Sequence, residues 1–225
     1  MQTFDIVKQN KIEETFRVKM IMNDFDVKLE HSNEHFKGKI ELPDNWNIGL
    51  IWGGSGTGKT TIAKELFGDK IIDGFIYNDK SVLDNMPSNL TTKEIEKMFY
   101  SVGFGSVPSW LKSYNVLSNG EKMRVDLARA LLERDFIVFD EFTSVVDRQV
   151  AKTGCIAINK AIKNTNKKFI AISCHNDIIE WLQPDWVFDT NIMQQVFQLA
   201  HTKKKSFRLK DVGEKIGRSL GNIII

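Results

Sequence analysis

A glycine-rich segment between a strand pattern and a helix pattern constrains this chain more than any other feature. Residues 53–60 read GGSGTGKT, which fits the spacing G-x-x-x-x-G-K-[ST]. The apolar run 48–52 before it is typical of a buried strand, and residues 61–67 after it have a helical pattern that ends at Gly68. A glycine loop in this position turns successive backbone N–H groups inward at the positive end of a helix dipole. The segment is therefore predicted to bind phosphate groups.

Two side chains at the end of this loop extend the prediction to a nucleoside triphosphate with Mg²⁺. Lys59 can reach the β- and γ-phosphates, and the hydroxyl of Thr60 can coordinate the metal. A Gly/Ser-rich surface loop is the alternative reading, but it does not account for the flanking strand and helix. The residues of this region predicted to contact the nucleotide are Gly53, Gly54, Ser55, Gly56, Thr57, Gly58, Lys59, Thr60 and Thr61.

The composition is that of an ordinary globular protein. Of 225 residues, 42% are hydrophobic and 27% charged, and 31 basic against 29 acidic residues give a net charge of +2. This balance gives no argument for a nucleic-acid partner. The two cysteines, Cys155 and Cys174, lack metal-ligand spacing and are interpreted as buried thiols in a reducing compartment. Without a secretory pattern or an apolar run long enough to cross a bilayer, the chain is predicted to be cytoplasmic.

The order of patterns predicts an α/β fold, a P-loop NTPase core with a mainly parallel sheet. Strands are predicted at 136–139, 168–173 and 185–189, and at 70–76 with a turn inside; helices are predicted at 147–164 and 177–182. Three alternating runs at 16–22, 25–29 and 35–42 predict an N-terminal antiparallel β subdomain.

A helical insert is predicted at about residues 80 to 130, between the first strands of the core and the strand at 136–139. Its helices are expected at 81–86, 91–101, 108–112 and, as the long helix that leads back to the core, 118–134. Residues 1–200 are taken as one domain, and residues 201–225 as a basic C-terminal tail. The tail is read as a solvated terminal helix or a disordered end, with a nucleic-acid-binding arm as the alternative.

Two adjacent acids follow the apolar strand 136–139. A parallel strand would carry Asp140 and Glu141 to the edge of the sheet where open α/β folds bind ligands. In such a site Asp140 would hold the Mg²⁺ shell, and Glu141 would polarise the water that attacks the γ-phosphate. An apolar run before two acids is also common where a strand leaves the core, but it gains weight downstream of a phosphate loop.

A third motif combines a helix cap with a glycine. Residues 117–124 read LSNGEKMR, in which Ser118 caps the helix and Gly120 permits close backbone approach. A hydroxyl and free N–H groups at a helix start form a second potential phosphate site, and an ordinary helix cap is the alternative. The segment resembles the LSGGQ signature of ATP-binding cassette (ABC) ATPases, and Arg124 and its order between the other two motifs strengthen the likeness.

The resemblance extends over roughly residues 15 to 190 and implies further roles. Residues 144–147, SVVD, stand where the family has its D-loop, so Asp147 is assigned to the nucleotide site. His175 follows a strand where the family has the switch histidine that contacts the γ-phosphate. By resemblance, Glu141, His175 and Lys59 are the catalytic residues and Thr60 and Asp140 the metal ligands. The family also implies a homodimer in which Ser118 and Gly120 complete the opposite subunit's ATP site.

The chain departs from the family at several positions. Asn119 and Glu121 replace a glycine and the glutamine of the signature. No glutamine occurs between positions 75 and 87, where the family has its Q-loop; Asn78 or Asp79 is nearest. In transporters the Q-loop and the helical insert dock on the membrane subunits. No aromatic clearly matches the one that stacks on adenine; Phe25 and Phe36 are the candidates, and both are more typical of a core.

The predicted activity is therefore ATP hydrolysis by a pair of chains that closes around two MgATP. The missing glutamine, the short insert and the basic tail favour a soluble switch that acts on nucleic acid or a partner protein, resembling ABC ATPases of phages and mobile elements. The alternative is the ATPase subunit of an ABC transporter with a membrane permease. A P-loop kinase or GTPase is a third class, but no Asn-Lys-x-Asp guanine-reading motif is present.

Overall fold

The computed structural model describes residues 1–9, 13–27, 33–72, 74–163 and 165–198. Its strands are β1 (Gln2–Gln9), β2 (Asn33–Ile40), β3 (Ile48–Trp52), β4 (Ile71–Ile72), β5 (Phe136–Phe139), β6 (Lys168–Ser173), β7 (Trp186–Asp189) and β8 (Gln194–Gln198). Its α-helices are α1 (Phe16–Asp24), α2 (Lys59–Phe67), α3 (Thr92–Ser101), α4 (Val107–Trp110), α5 (Asn119–Glu133), α6 (Arg148–Ile162) and α7 (Ile178–Leu182). The predicted tail at 201–225 lies outside the described residues.

The central sheet has six strands in the order β4-β5-β6-β3-β7-β8. Neighbours from β4 to β7 are parallel, and β8 alone runs antiparallel to its neighbour β7. The prediction of a mainly parallel α/β sheet is confirmed. Because β5, β6, β3 and β7 run in one direction, the segments that follow them all leave from the same edge of the sheet.

Two clusters of buried side chains cover the two faces of this sheet. On one face, Phe99 of α3 and Leu127 of α5 share a core with Leu50 and Ile137 of the sheet. On the other face, Phe4 and Phe36 of the β1–β2 pair pack with α2 and with strand residues such as Ile51 and Val138. The helical insert and the N-terminal strand pair are therefore attached to opposite faces of one sheet by continuous apolar packing.

The N-terminal region differs from the prediction. The run 16–22, predicted as a strand, belongs to helix α1, which Thr15 caps by accepting a hydrogen bond from Val18 N at 3.4 Å. None of the α1 side chains is buried, so the alternation there does not mark a strand with one face in a core. Residues 25–27 form a turn, and positions 28 and 29 of the predicted second strand lie outside the described ranges.

The third predicted N-terminal strand is present as β2, but its antiparallel partner is β1, which the sequence patterns did not indicate. The antiparallel subdomain is thus a two-stranded sheet, with helix α1 between its strands in the sequence. Of the described residues in the predicted strand at 70–76, only the two of β4 pair, and β8 was not predicted.

The helical insert is confirmed in outline and corrected in one part. Helices α3 and α5 begin with capping boxes, Thr91 with Glu94 and Ser118 with Glu121. The predicted helix at 81–86 is instead a set of turns, because Val82 N and Leu83 N bond to the carbonyls of Lys112 and Trp110. In the part of the chain that the structure describes, no helix has the length and apolar character needed to span a membrane.

Candidate active site

The glycine loop forms a tight turn that leads into α2. Gly56 and Gly58 adopt left-handed backbone angles, with φ of 79° and 85°. Lys59 is only 8% exposed. Its side chain folds back, and its Nζ donates to the carbonyl of Gly54 at 2.6 Å. The loop thus gathers an ammonium group and several backbone amides around one concave turn, which is an arrangement suited to polyphosphate.

Two residues after β7 support this loop. Thr190 Oγ1 lies 2.6 Å from Thr57 Oγ1, and Asn191 Oδ1 accepts from Gly54 N at 3.0 Å. A Cβ on Gly53 would lie 2.0 Å from Thr190 Oγ1, so only glycine fits there. Sequence reasoning missed Thr190 and Asn191. A partial signal was present, since polar residues directly after a parallel strand reach the same edge of the sheet as the loop.

The two acids lie beside the loop at the end of β5. Thr60 Oγ1 donates to Asp140 Oδ1 at 3.3 Å, so a hydroxyl and a carboxylate converge as the sequence predicts. The same Asp140 oxygen accepts from the backbone N of Glu141 at 2.8 Å. Glu141 is exposed and has a φ of 49°, which is uncommon for a residue with a side chain and recurs at functional sites. Hydroxyl and carboxylate oxygens are the ligands that Mg²⁺ takes, so Thr60 and Asp140 fit a magnesium ion.

His175 follows β6, and β6 lies between β5 and β3 in the sheet. It therefore leaves the sheet between the acids and the glycine loop. Its backbone N donates to Ser173 Oγ at 3.2 Å, and its Nδ1 lies 3.8 Å from Cys174 Sγ. Cys174 is exposed, which corrects the prediction of a buried thiol, because the buried run of β6 ends at Ser173; Cys155 is buried as predicted.

The remaining predicted residues form a second group, at the first turns of α5 and α6. Ser118 caps α5, and Asp147 caps α6 by accepting from the backbone N of Gln149 and Val150 at 3.0 Å each. A Cβ on Gly120 would lie 2.9 Å from Val150 Cγ1, so Gly120 lets the two helix starts approach. The structure therefore divides the candidate residues into a set at the sheet edge and a set at two helix starts.

Comparisons with known proteins agree with this geometry. No protein-family model matches the chain. It is 29% identical over 132 residues to the "Inner membrane ABC transporter ATP-binding protein YddA" of Escherichia coli (strain K12), a match that covers 55% of this chain and 20% of that protein. The chain thus spans about a fifth of the length of this curated relative.

Two solved structures are similar over most of the chain. One is the dimeric ATP-binding cassette MJ0796 in a post-hydrolysis state with ADP and Pi, at a TM-score of 0.57 and 14% identity, covering 83% of this chain and 92% of that one. The other is a bacterial Atm1-family ABC exporter with ATP bound, at a TM-score of 0.55 and 17% identity, covering 77% of this chain and 37% of that one. The chain has the fold of an ABC ATPase cassette.

The two aromatic candidates for adenine stacking differ in exposure. Phe36 is 7% exposed, and its ring fills the space that a Cβ on Gly58 would need, at 2.6 Å. Phe36 is therefore a packing residue against the glycine loop of the cassette. Phe25 is 70% exposed in the turn after α1, where its ring has an open face.

Proposed function

We propose that the protein binds and hydrolyses ATP, and that two copies close around two MgATP. The observation that carries this proposal is the convergence of the glycine loop, Lys59 and Thr60 on Asp140 and Glu141 at one edge of the sheet, with Thr60 Oγ1 and Asp140 Oδ1 3.3 Å apart. These groups are what in-line transfer of a phosphoryl group to water requires: positioning and neutralisation of charge, without covalent chemistry by the protein.

Each residue of the sheet-edge set has a task in the proposed reaction. Lys59 exchanges its bond to the Gly54 carbonyl for the β- and γ-phosphate oxygens. Thr60 and Asp140 would hold Mg²⁺, and the ion would supply positive charge against the phosphates. Glu141 orients the attacking water and accepts its proton, and His175 contacts the γ-phosphate.

The helix-start set serves the partner's nucleotide in this proposal. Ser118 and Gly120 offer a hydroxyl and backbone amides at the start of α5, and Asp147 stands at the start of the neighbouring α6. A site that needs both sets from different chains makes ATP the ligand that closes the dimer. The dimeric state of the structural relative MJ0796 supports this arrangement.

For the partner, we favour a membrane permease, so that the chain acts as a transporter ATPase on the cytoplasmic face of a membrane. This reverses the preference drawn from the sequence. The curated relative and one structural relative are transporter proteins by name. The likeness to phage and mobile-element ATPases has no support in these relatives.

Exposed apolar side chains on the helical insert and on the segment that leads into it also fit a permease. Ile76, Leu111 and Val116 are 93%, 68% and 68% exposed. Tyr77 and Tyr114 stack at 3.9 Å, so Ile76 and Val116 border the same stacked pair. Large apolar side chains exposed to water can mark a protein–protein contact, and by family resemblance the transporter subunits dock on this part of the cassette.

The test of the ATPase proposal is Glu141→Gln. We expect this variant to bind ATP, hydrolyse it at least a hundredfold more slowly than the wild type, on the order of the loss of one general base, and elute as a dimer with ATP. Lys59→Ala is the control that loses nucleotide binding. A Glu141→Gln protein that stays monomeric at saturating ATP and high protein concentration would exclude the shared site.

The choice of partner has its own test. We expect the ATPase rate of the wild type to be unchanged by DNA or RNA at low salt, where any electrostatic binding is strongest. A several-fold stimulation by either would restore the nucleic-acid switch as the better reading. Ile76→Asp should leave the basal rate unchanged and abolish stimulation by a co-reconstituted permease.

A further inference from the structure

The Ser118 hydroxyl is committed to its own helix. Its Oγ donates to Glu121 Oε2 at 2.8 Å and accepts from Glu121 N at 3.3 Å. Glu121 Oε2 also accepts from Ser118 N at 2.9 Å. A serine hydroxyl carries a single proton. While that proton points at Glu121, it cannot be donated to a phosphate oxygen.

A second capping box in the same chain shows what is special about this one. At the start of α3, Thr91 and Glu94 make the same contacts, at 2.7, 2.8 and 3.4 Å. Glu121 has a further donor, because Ser109 Oγ of α4 bonds to its Oε1 at 2.6 Å. Ser109 is 4% exposed, so this contact belongs to the core of the insert and not to a flexible surface.

Both oxygens of Glu121 are thus held in place, one by Ser109 and the other by Ser118. The hydrogen bonds from Ser109 and from the Ser118 backbone lower the pKa of Glu121, so the carboxylate is charged at neutral pH. A charged acceptor makes a stronger hydrogen bond than a neutral amide. The capping role alone would need neither the charge nor the donor from α4, since a glutamine caps a helix equally well.

Resting on the proposed function, we infer that Glu121 is a positioning residue that opposes dimer closure by retaining the Ser118 proton. Closure must transfer that hydrogen bond from Glu121 to the γ-phosphate bound by the partner chain. The ATP concentration needed for closure then depends on how strongly Glu121 holds Ser118. Binding of ATP to the glycine loop of a single chain does not depend on it.

The experiment compares Glu121→Gln with Glu94→Gln, both in the Glu141→Gln background. We expect Glu121→Gln to lower the ATP concentration for half-maximal dimerisation about tenfold, the typical difference between a charge-assisted and a neutral hydrogen bond. The matched change Glu94→Gln, in the capping box without the extra donor, should leave it unchanged. ATP affinity measured at protein concentrations too low for dimers should be equal in all three proteins.

A second variant loosens Glu121 by removing its hydrogen bond to Ser109. Ser109→Ala removes the donor that fixes Glu121 Oε1 and keeps the capping box, so we expect a shift of about threefold in the same direction. A dimerisation midpoint that is the same with Glu121→Gln as with Glu94→Gln, or one that rises, would overturn the inference. Failure of the Glu141→Gln parent itself to dimerise would instead overturn the proposed function, so the two outcomes can be told apart.

Discussion

Gly58 of the glycine loop combines a left-handed backbone with a close neighbour. It has a φ of 85°, and a Cβ there would lie 2.6 Å from the Phe36 ring. We expect Gly58→Ala to lower the free energy of unfolding by about 2 kcal/mol, from left-handed strain and displacement of Phe36. Gly68→Ala is the matched control, because Gly68 has a φ of −47° and an added Cβ there would meet nothing within 4 Å. Urea unfolding compares the two, and equal midpoints would contradict the role of Gly58.

The two cysteines should differ strongly in reactivity. Burial raises the pKa of Cys155 to about 12, so its thiolate is scarce at neutral pH and its sulfur is covered. Cys174 is exposed beside His175. We expect Ellman's reagent to modify one thiol per native chain and two after unfolding in urea. Cys174→Ser should remove the fast reaction and Cys155→Ser should not. The reverse pattern would mean that Cys155, and not Cys174, is the accessible thiol.

At the scale of elements, the half-buried carboxylate of Asp126 and the side chain of Arg129 attach the segment after β4 to α5. Tyr77 and Tyr114 each donate to Asp126, at 2.7 Å, and Arg129 stacks on Phe75 with 4.8 Å between its Cζ and the ring centroid. This attachment stands where the family resemblance led us to expect a glutamine. It ties the entrance of the helical insert to the helix that Ser118 caps.

Tyr77→Phe tests this attachment. We expect the free energy of unfolding to fall by about 1 to 3 kcal/mol at pH 7, because an oxygen of the half-buried Asp126 carboxylate loses its donor. Burial raises the pKa of Asp126 and the bond from Tyr77 lowers it, so the variant raises that pKa further. A carboxyl group whose pKa is raised by folding destabilises the folded state at high pH, and protonation removes this penalty. The loss of stability in Tyr77→Phe should therefore shrink as the pH falls below 7.

The control for Tyr77→Phe is Tyr100→Phe, since Tyr100 is 51% exposed. We expect its free energy of unfolding, measured in urea, to stay within about 0.5 kcal/mol of the wild type at every pH. The attachment does not depend on the half-buried Asp126 carboxylate if both substitutions lower the free energy of unfolding equally. The same conclusion follows if the loss in Tyr77→Phe is independent of pH.

The elements that sequence reasoning found are those with strong local signals. Strands β3, β5 and β6 are uninterrupted apolar runs, and α5 begins with a capping box that the sequence itself displays. The elements it missed or misread lack such signals. The β1 and β8 strands are rich in polar residues and are defined by their partners, and α1 has apolar residues without a buried face.

At the scale of the whole molecule, motif order predicted which residues share the sheet edge, but not what supports them. The parallel arrangement followed from alternating strands and helices, and with it the meeting of residues 53–60 with Asp140 and His175. The strand order and the place of β7 beside β3 depend on long-range packing. For that reason Thr190 and Asn191, which reach the loop only through this adjacency, could not be assigned to it from the sequence.

The proposed two-chain site has a consequence for the stability of the whole molecule. A ligand that binds one folded chain stabilises it by an amount set by ligand concentration and affinity, about 2.7 kcal/mol at 100 times Kd. It therefore raises Tm by the same amount whatever the protein concentration. A ligand that also joins two chains makes Tm rise with protein concentration, because unfolding then requires dissociation.

We therefore expect the Tm of Glu141→Gln with MgATP to increase over a hundredfold range of protein concentration. With MgADP it should be higher than without nucleotide but independent of protein concentration, and Lys59→Ala should respond to neither nucleotide. A concentration-independent Tm with MgATP would mean that each chain holds its nucleotide alone, and that Ser118, Gly120 and Asp147 serve only as helix starts.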